Sequence, residues 1–494
     1  MVRRVLAILL TAGKALAAEA PPASPLLPPG HWAVRAAERL HEVGLAPDWL
    51  PSQRAVPLLV VGKTLEDAAR LAGREAPQVE PLTTAWTQRF RAEFPGSAAI
   101  AERRPALLGG VVGTGYSGGS VHELAPAGPP LPADLRLQVP RSDPFLTLGG
   151  AASFSTHFAA GFQAHATPSQ VDLDSAELVG SLGKLALSVG RTPVGYGPGA
   201  VGAVVASGRA TVERVELMTT APVRFAGPLG FMGDFAIDTT LARFSEPRHP
   251  YHPLLWEFEV QWRPCPRLTL AAIRGVMFGG ALWEGTDGRD ALLSILGMKN
   301  GTQNNVYSGS IAYRLPTEAF LPLALDVEWG SDDNPGAMVT WPGLVAGLKA
   351  PMLPGLLAEV GVEYAYFGRG PFGWHQPVDW YGHWQYVGGW ATSEMPLGDP
   401  LGGNGRALRL TAAADPWDGR VRLSGLAWLQ DRYIDKDRLT DNLYARVAGG
   451  RSVGALGEVE WRLGALALVA RGSYERGRSG WSRSEVAVDV SVHF

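Results

Sequence analysis

Alternation of apolar and polar residues, repeated along most of the chain after residue 105, constrains the fold more than any other feature of the sequence. The stretch WEFEVQW at 256–262 places tryptophan, phenylalanine and valine on one face and two glutamates and a glutamine on the other, and LALDVEW at 323–329 repeats the pattern. Successive side chains of a strand point to opposite faces, so both stretches predict strands with one apolar and one ionic side. Such strands suit a membrane barrel with a polar interior, or a soluble sandwich whose core would need partner faces.

The alternating runs are separated by Gly, Pro and Asp clusters and predict eighteen strands. They lie at 106–116, 131–139, 149–164, 171–179, 183–191, 212–225, 231–244, 254–262, 268–278, 305–314, 321–330, 343–349, 356–367, 406–414, 420–430, 442–462, 466–476 and 483–494. Every second connection is short, as in DPWDG and RLGA, and the alternate ones are long, including 281–304 and 368–405. Short turns at one rim and long loops at the other are typical of a bacterial outer-membrane barrel. We therefore predict an all-β, antiparallel transmembrane barrel over residues 106–494.

The last predicted strand continues the alternation up to the final residue. Every second residue from Val486 to Phe494 is apolar. A closed barrel pairs its last strand with its first, so that no strand edge remains in lipid. The ending is similar to the terminal signal of outer-membrane barrels, which finish on an aromatic residue. We expect Phe494 to be the assembly signal that the barrel insertion machinery reads.

The first 105 residues have a different pattern. Residues 1–20 combine two arginines, the apolar run VLAILLTAG and small residues, and this order predicts a signal peptide for export. Residues 21–105 have helical periodicity interrupted by prolines; HWAVRAAERLHEVG, for example, has an apolar face and ends at Gly44. We predict a small α-helical domain that precedes the barrel and lies in the periplasm.

Composition argues against several other classes of protein. The net charge of -3, without a clustered excess of Lys and Arg, argues against a nucleic-acid partner. No internal stretch is long and apolar enough to predict a membrane helix. The single cysteine, Cys265, lies between two prolines and is predicted to be a turn residue. The GTGYSG stretch at 113–118 does not open a helix, as a dinucleotide site requires, and the sequence predicts no cofactor.

Metal binding and catalysis find little support. The stretch DRYIDKDRLTDN at 431–442 has four aspartates that could hold calcium, but it lacks the glycine and final glutamate of an EF-hand, and its basic residues favour a solvated outer loop. Ser207, His157 and His249 are widely separated and carry no nucleophile-elbow motif. We predict no metal site and no catalysis, while a surface enzyme whose residues meet only in space stays open.

The densest aromatic cluster, FGWHQPVDWYGHWQYVGGW at 372–390, lies in the longest loop. Strand counting back from Phe494 places this loop outside the cell. Aromatic rings cover the apolar faces of sugars, and polar neighbours bind the hydroxyl groups. The candidate polysaccharide-binding residues are Trp374, His375, Trp380, Tyr381, His383, Trp384 and Tyr386. The alternative is an aromatic girdle, or a loop that packs on itself and caps the barrel mouth.

Three segments resemble the capsule assembly Wzi family of outer-membrane proteins. GRTPVGYGPGAVGAVVASGRA at 190–210 resembles its W-G-P-G stretch and small-residue run, although Tyr196 stands where the family usually has Trp. YGHWQYVGGWATSEMPLGDPLGG at 381–403 resembles its Y-x-H-x-x-Y-x-x-G and twin Leu-Gly region, and LWEFEVQWRPCPRLTLAAIRGVMFGG at 255–280 is similar to a segment that ends in Arg and a Gly pair. The resemblance implies an eighteen-stranded barrel with a periplasmic helical region, and a role in holding capsular polysaccharide at the cell surface.

The segment PPGHWAVRAAERLHEVGL at 28–45 also resembles half of an S-layer homology domain, a module that anchors proteins to cell-wall polymers. The T-R-A-E stretch of such domains is replaced by RAVPLLVVGK at 54–63. The replacement favours a helical plug or a periplasmic foot and leaves contact with the cell wall as an alternative.

Together these patterns predict a non-catalytic outer-membrane barrel that binds or organises capsular or other surface polysaccharide. Its other partners would be the lipids of the outer membrane and the insertion machinery. The alternative is a porin-like channel, because a barrel of about this strand number can enclose water. Its lumen would then be lined by Glu257, Glu259, Asp326 and Glu328.

Overall fold

The structure is a computed structural model in which most of the chain is described. The described residues are 22–51, 55–98, 104–122, 143–225, 227–245, 248–281, 288–296, 303–332, 335–353, 357–368, 380–383, 385–386, 388–392, 395–417, 419–432, 450–478 and 480–494. The predicted signal peptide at 1–20, the predicted strand at 131–139 and most of the Asp-rich segment 431–442 lie outside these residues.

Eighteen long antiparallel strands close into a barrel, as predicted. They are β1 Ala106–His122, β2 Asp143–Ser153, β3 Phe158–Ala166, β4 Val171–Leu182, β5 Leu185–Gly195, β6 Ser207–Thr219, β7 Asp234–Arg243, β8 Leu254–Cys265, β9 Leu268–Phe278, β10 Asn304–Arg314, β11 Ala324–Asp332, β12 Pro342–Ala350, β13 Ala358–Phe367, β14 Gly405–Ala414, β15 Val421–Arg432, β16 Gly450–Leu463, β17 Leu466–Gly477 and β18 Ser482–His493. β18 pairs with β1 from Ser482 to His493, which closes the barrel. The two-residue strand Val223–Arg224 extends the pairing of β7.

Several predicted strand ends are displaced, such as that of β1, which was predicted at 116 and lies at His122, and one predicted strand is wrong. The run 149–164 is not one strand; β2 ends at Ser153 and β3 begins at Phe158. The chain reverses here without Gly or Pro, because the Ser155 hydroxyl accepts hydrogen bonds from the backbone N–H groups of His157 and Phe158, each at 3.1 Å. A serine side chain that satisfies backbone donors in this way makes a tight turn, which the alternation pattern does not reveal.

The two faces of the strands are as the alternation predicts. In β8, Glu257 and Glu259 are fully buried, whereas Trp262 on the opposite face is 40% exposed. In β11, Asp326 and Glu328 are buried, and Trp329 is exposed on the outside. The charged side chains therefore face the lumen, and an apolar band faces outward, as in transmembrane barrels.

The barrel has two different rims. The turns 154–157, 183–184, 266–267, 415–420 and 464–465 lie at the rim that also carries Phe494, which we call the turn rim. The connections 196–206, 279–303 and 368–404 lie at the opposite rim, which we call the loop rim. The helix α4, Gly288–Ile295, belongs to one of these long connections.

Before the barrel, residues 22–51 and 55–98 contain three helices: α1 Trp32–Glu42, α2 Leu58–Glu75 and α3 Glu80–Glu93. A two-residue strand pair, Leu26–Leu27 with Val56–Pro57, links the segment before α1 to the start of α2. Trp32, Ala36 and Leu40 are buried on one face of α1, and the chain turns after it at Gly44, which has a φ of 89°. Among the described residues, no helix has the length and apolar character needed to cross a membrane.

The helix α1 lies in the lumen at the turn-rim side. The Arg39 guanidinium donates to Asp415 at 2.9 Å and pairs with Glu359 at 3.0 Å, and Glu42 pairs with the inward-facing Lys349 at 2.5 Å. In α3, Arg89 donates to both carboxylate oxygens of Glu460, at 2.7 and 2.8 Å. We call α1 to α3 and the segment before them the helical plug, residues 22–98, because charged side chains of the barrel wall bind it from inside.

Candidate functional site

The connection 196–206, which we call the lumen loop, folds into the barrel from the loop rim. The backbone N–H groups of Val201 and Gly202 donate to the Glu363 carboxylate at 3.0 and 3.1 Å, and that of Val204 donates to Glu328 at 3.0 Å. These carboxylates come from the inward faces of β13 and β11. A buried carboxylate needs donors, and the loop backbone supplies them.

The small residues of the lumen loop follow from this close packing. A Cβ atom on Gly202 would lie 1.8 Å from a carboxylate oxygen of Asp399, and one on Gly197 would lie 2.5 Å from Glu328. Gly197 also has a φ of 91°, in the region that favours glycine. The small-residue run GPGAVGAVVASG is therefore required where the loop approaches the barrel wall.

A second segment, 380–403, which we call the cap loop, covers the lumen loop at the loop rim. The Tyr381 hydroxyl donates to the carbonyl of Val204 at 2.6 Å, and the Trp390 indole N–H donates to the carbonyl of Val205 at 2.7 Å. Asp399 forms a buried pair with the inward-facing Arg409, with N–O distances of 2.5 and 2.8 Å. The two loops and the wall thus form one continuous packed layer across this part of the lumen.

Arg409 connects the two loops electrostatically. It lies in β14, is fully buried, and binds Glu363 at 2.9 Å in addition to Asp399. One guanidinium therefore holds the carboxylate that binds the lumen loop and the carboxylate that belongs to the cap loop. A bidentate arginine fixes orientation as well as charge, so it positions both loops.

Four of the predicted polysaccharide-binding residues are described, and all four are buried in the cap. Trp380, Tyr381 and Tyr386 have no exposed surface, and His383 is 7% exposed. Trp380 packs edge-on against Phe367, with ring centroids 5.1 Å apart. Burial lowers the pKa of His383 to about 4, so its ring is neutral near pH 7. This geometry matches the self-packed capping loop that the sequence left open as the alternative.

The other three predicted residues, Trp374, His375 and Trp384, lie outside the described residues. In the sequence they belong to the same connection, between β13 and β14. Their part in polysaccharide binding stays a prediction. Phe494, the predicted assembly signal, extends the pairing of β18 with β1: its N–H donates to the Gly110 carbonyl at 3.0 Å and its carbonyl accepts from Gly110 at 2.7 Å.

Sequence reasoning did not assign Glu363, Asp399 and Arg409 any role. A signal was present for two of them, because GVEYAYF and ALRLTAAA each contain a single charged residue among apolar and small ones, on the inward face of the strand. A lone charge facing a lumen needs a partner, but the sequence does not say which one. Within the described residues, no group of three or more His, Cys, Asp or Glu side chains is arranged to hold a metal ion.

The fold and the cap define a transmembrane β-barrel of the outer-membrane type whose lumen is partly filled by its own helices and loops. The family model described as capsule assembly protein Wzi matches residues 145–414, which include the lumen loop and the cap loop. The chain belongs to this family, which confirms the resemblance seen in the sequence.

Two solved structures are similar in fold. The first is described as Wzi, an outer-membrane protein involved in group 1 capsule assembly in Escherichia coli and a carbohydrate-binding β-barrel; it has a TM-score of 0.73 and 14% identity, over 95% of this chain and 99% of that one. The second is Pseudomonas aeruginosa OpdO, with a TM-score of 0.50 and 10% identity, over 79% of this chain and 97% of that one. A comparison with curated proteins gives no match.

Proposed function

We propose that this protein is a non-catalytic outer-membrane barrel that binds capsular polysaccharide and takes part in capsule assembly at the cell surface. Membership of the capsule assembly family is the observation that carries the proposal. The Escherichia coli structure of similar fold is itself described as carbohydrate-binding. The partly filled lumen supports the same function, because a porin needs a wide aqueous path, and both the helical plug and the packed loops narrow that path.

The proposed orientation has the loop rim outside the cell and the turn rim in the periplasm. Outer-membrane barrels have short periplasmic turns and longer extracellular loops. The helical plug then lies on the periplasmic side, after a signal peptide at 1–20 that directs export. The apolar outer faces of the strands contact the outer-membrane lipids, and the insertion machinery reads Phe494.

The proposed polysaccharide-binding surface is the loop rim around the cap. Trp380, Tyr381 and Tyr386 support the surface from beneath, since their rings pack inside the cap. Trp374, His375 and Trp384 of the same connection are the residues proposed to contact sugars directly. Aromatic stacking loses most of its contact area when the ring is replaced by Ala, so these positions are suited to a test.

The experiment compares cell-bound with released polysaccharide in strains that produce equal amounts of folded barrel. We expect Trp374→Ala with Trp384→Ala to leave the barrel assembled and to shift polysaccharide into the medium, and we expect deletion of the protein to cause the same shift. Trp417→Ala is the matched control, because this tryptophan is 72% exposed in a turn at the opposite rim. Trp380→Ala should instead lower the amount of folded barrel. An unchanged ratio of bound to released polysaccharide in the full deletion would refute the proposed function.

A further inference from the structure

One side of the lumen is not filled. A cavity of about 380 Å³ lies between the helical plug and the inward faces of strands β1–β4 and β16–β18. The lumen loop and the cap loop are anchored elsewhere on the wall, at Glu328, Glu363 and Arg409 of β11, β13 and β14. The volume falls within the range of about 300–1,000 Å³ that is usual for ligand pockets.

Small side chains on this part of the wall leave the space open. Gly149, Gly161 and Ser491 line it, together with Thr147, and all four face inward. The cavity extends along the barrel axis: Phe145 and His165 line it near the loop-rim ends of β2 and β3, and Phe94 and His493 line it at the turn rim. It is therefore elongated and parallel to the strands.

The two long sides of the cavity differ in chemistry. The plug side is mostly apolar: seven of its nine lining residues are Pro25, Leu26, Leu27, Pro28, Trp32, Leu58 and Phe94, and the other two are His31 and Glu93, which bind each other at 3.0 Å. The wall side is polar and includes Gln163, His165, Asp174, Arg471 and Asp489. A sugar ring presents apolar C–H faces and hydroxyl edges, so an elongated cavity with one apolar and one polar side complements a short run of sugars.

Two polar atoms on the wall side lack a partner. Arg471 Nε and Asp489 Oδ1 are buried and make no hydrogen bond within the described residues. Buried polar groups are normally satisfied, and those that are not call for a ligand or water. A hydroxyl group both donates and accepts, so neighbouring hydroxyls of one sugar satisfy the arginine and the aspartate together.

The charge of the lining selects among sugars. Six carboxylates line the cavity against three arginines, Arg422, Arg462 and Arg471. Glu93 and Glu460 are neutralised by Arg462, at 3.0 and 2.8 Å, and Glu460 also by Arg89, at 2.7 Å. Four of the carboxylates then remain against Arg422 and Arg471. The excess of carboxylates repels an anionic sugar, so the lining favours a neutral one.

We propose that this cavity binds a short neutral oligosaccharide segment, about one to two sugar rings long, along the inner wall of β1–β4 and β16–β18. This inference rests on the proposed function and locates a sugar site inside the barrel, separate from the aromatic residues of the loop rim. The cavity binds one segment of the polysaccharide, while residues of the loop rim contact the rest of it.

The test uses the purified full-length protein and fragments of two to four sugars, released from the cell's own capsular polysaccharide and separated into neutral and acidic pools. Isothermal titration calorimetry measures their binding. Thr147→Trp fills the cavity and should abolish binding of the neutral pool, whereas Leu148→Trp on the outer face of the same strand should leave it unchanged. Arg471→Ala and Asp489→Asn should each weaken binding about tenfold. Arg476→Ala, an exposed arginine of the same strand as Arg471, is the control for the first of these.

Each outcome separates this inference from the proposed function. Neutral fragments that bind the Thr147→Trp protein as tightly as the wild type would place the sugar site elsewhere and overturn the inference. Binding of the acidic pool alone, or of neither pool, would overturn the inference as well. The proposed function would still be tested separately, by the ratio of cell-bound to released polysaccharide. Heat-modifiable migration shows that each variant is a folded barrel, so a loss of binding cannot be a loss of folding.

Discussion

At the scale of single residues, isolated charges on inward strand faces hold the cap in place. Arg409, Glu363 and Asp399 are each no more than 2% exposed, and each makes its contacts within this group and with loop backbone. A buried ion pair contributes little net stability compared with an apolar pair, but removal of one partner leaves an uncompensated charge. These residues therefore specify where the loops lie more than they stabilise the barrel as a whole.

The first prediction follows from this charge balance. Arg409→Ala leaves two buried carboxylates without their cation and should reduce the free energy of unfolding by about 3–5 kcal/mol. Urea unfolding of the detergent-solubilised protein measures the change. Arg451→Ala is the control, because Arg451 is half-exposed and lies 3.8 Å from Asp431, a geometry worth at most about 1 kcal/mol. An equal decrease in the free energy of unfolding for both substitutions would show that Arg409, Glu363 and Asp399 do not form a buried network.

The second prediction concerns pH. Burial lowers the pKa of His383 from 6.5 to about 4, so between these values the unfolded chain binds a proton that the folded cap does not. The contribution of His383 to stability should therefore be constant above about pH 6.5 and decrease as the pH drops toward 4. Burial also lowers the pKa of His41 in α1, to about 3, which acts in the same direction.

The measurement compares unfolding midpoints at pH 7 and pH 5. His383→Gln should reduce the difference between the two midpoints, whereas His157→Gln, at an exposed turn position, should leave it as in the wild type. A His383→Gln protein that loses as much stability on acidification as the wild type would count against a neutral, buried His383.

At the scale of elements, the seam between β18 and β1 closes the barrel. Twelve residue pairs join the two strands, and Phe494 adds two backbone hydrogen bonds to Gly110 beyond the last pair. A Cβ atom on Gly110 would lie 2.6 Å from the Phe494 ring, so the glycine leaves room for the ring at the rim. The same residue thus completes the seam and presents an aromatic ring that is 53% exposed.

The third prediction tests this terminal residue. Deletion of Phe494 should lower the amount of folded, heat-modifiable barrel in the outer membrane while export continues, because both the recognition ring and the last pairing are lost. Phe494→Tyr keeps the ring and the pairing and should assemble as the wild type does. Normal amounts of folded barrel after the deletion would speak against the role of Phe494 as the assembly signal.

At the scale of the whole molecule, the sequence predicts the barrel better than it predicts the helices and loops that lie inside the lumen. Period-two alternation reports directly which face of each strand meets lipid, so the strand number and the faces of β8 and β11 were predictable. The position of the helices inside the lumen was not predictable, because it depends on contacts between residues far apart in the sequence. Arg39 binds Asp415 and Arg89 binds Glu460, each across more than 370 residues. The burial of Trp380 and Tyr381 could not be predicted either. An aromatic residue that binds sugar and one that packs beneath a loop have the same signature in the sequence.

The last prediction asks whether the filled lumen is closed to ions. The helical plug occupies much of the turn-rim half, and the lumen loop with the cap loop occupies much of the loop-rim half, which leaves the cavity beside β1–β4 and β16–β18 as the main open space. The intact protein should therefore conduct far less in planar bilayers than an open barrel of this strand number. Removal of residues 22–98 alone should raise conductance only slightly, because the loops still fill the other half. Removal of these residues together with replacement of both 196–206 and 381–403 by short Gly-Ser connections should give stable open channels. Large, stable conductance steps from the intact protein would contradict the closed lumen and favour the channel over the polysaccharide-binding barrel.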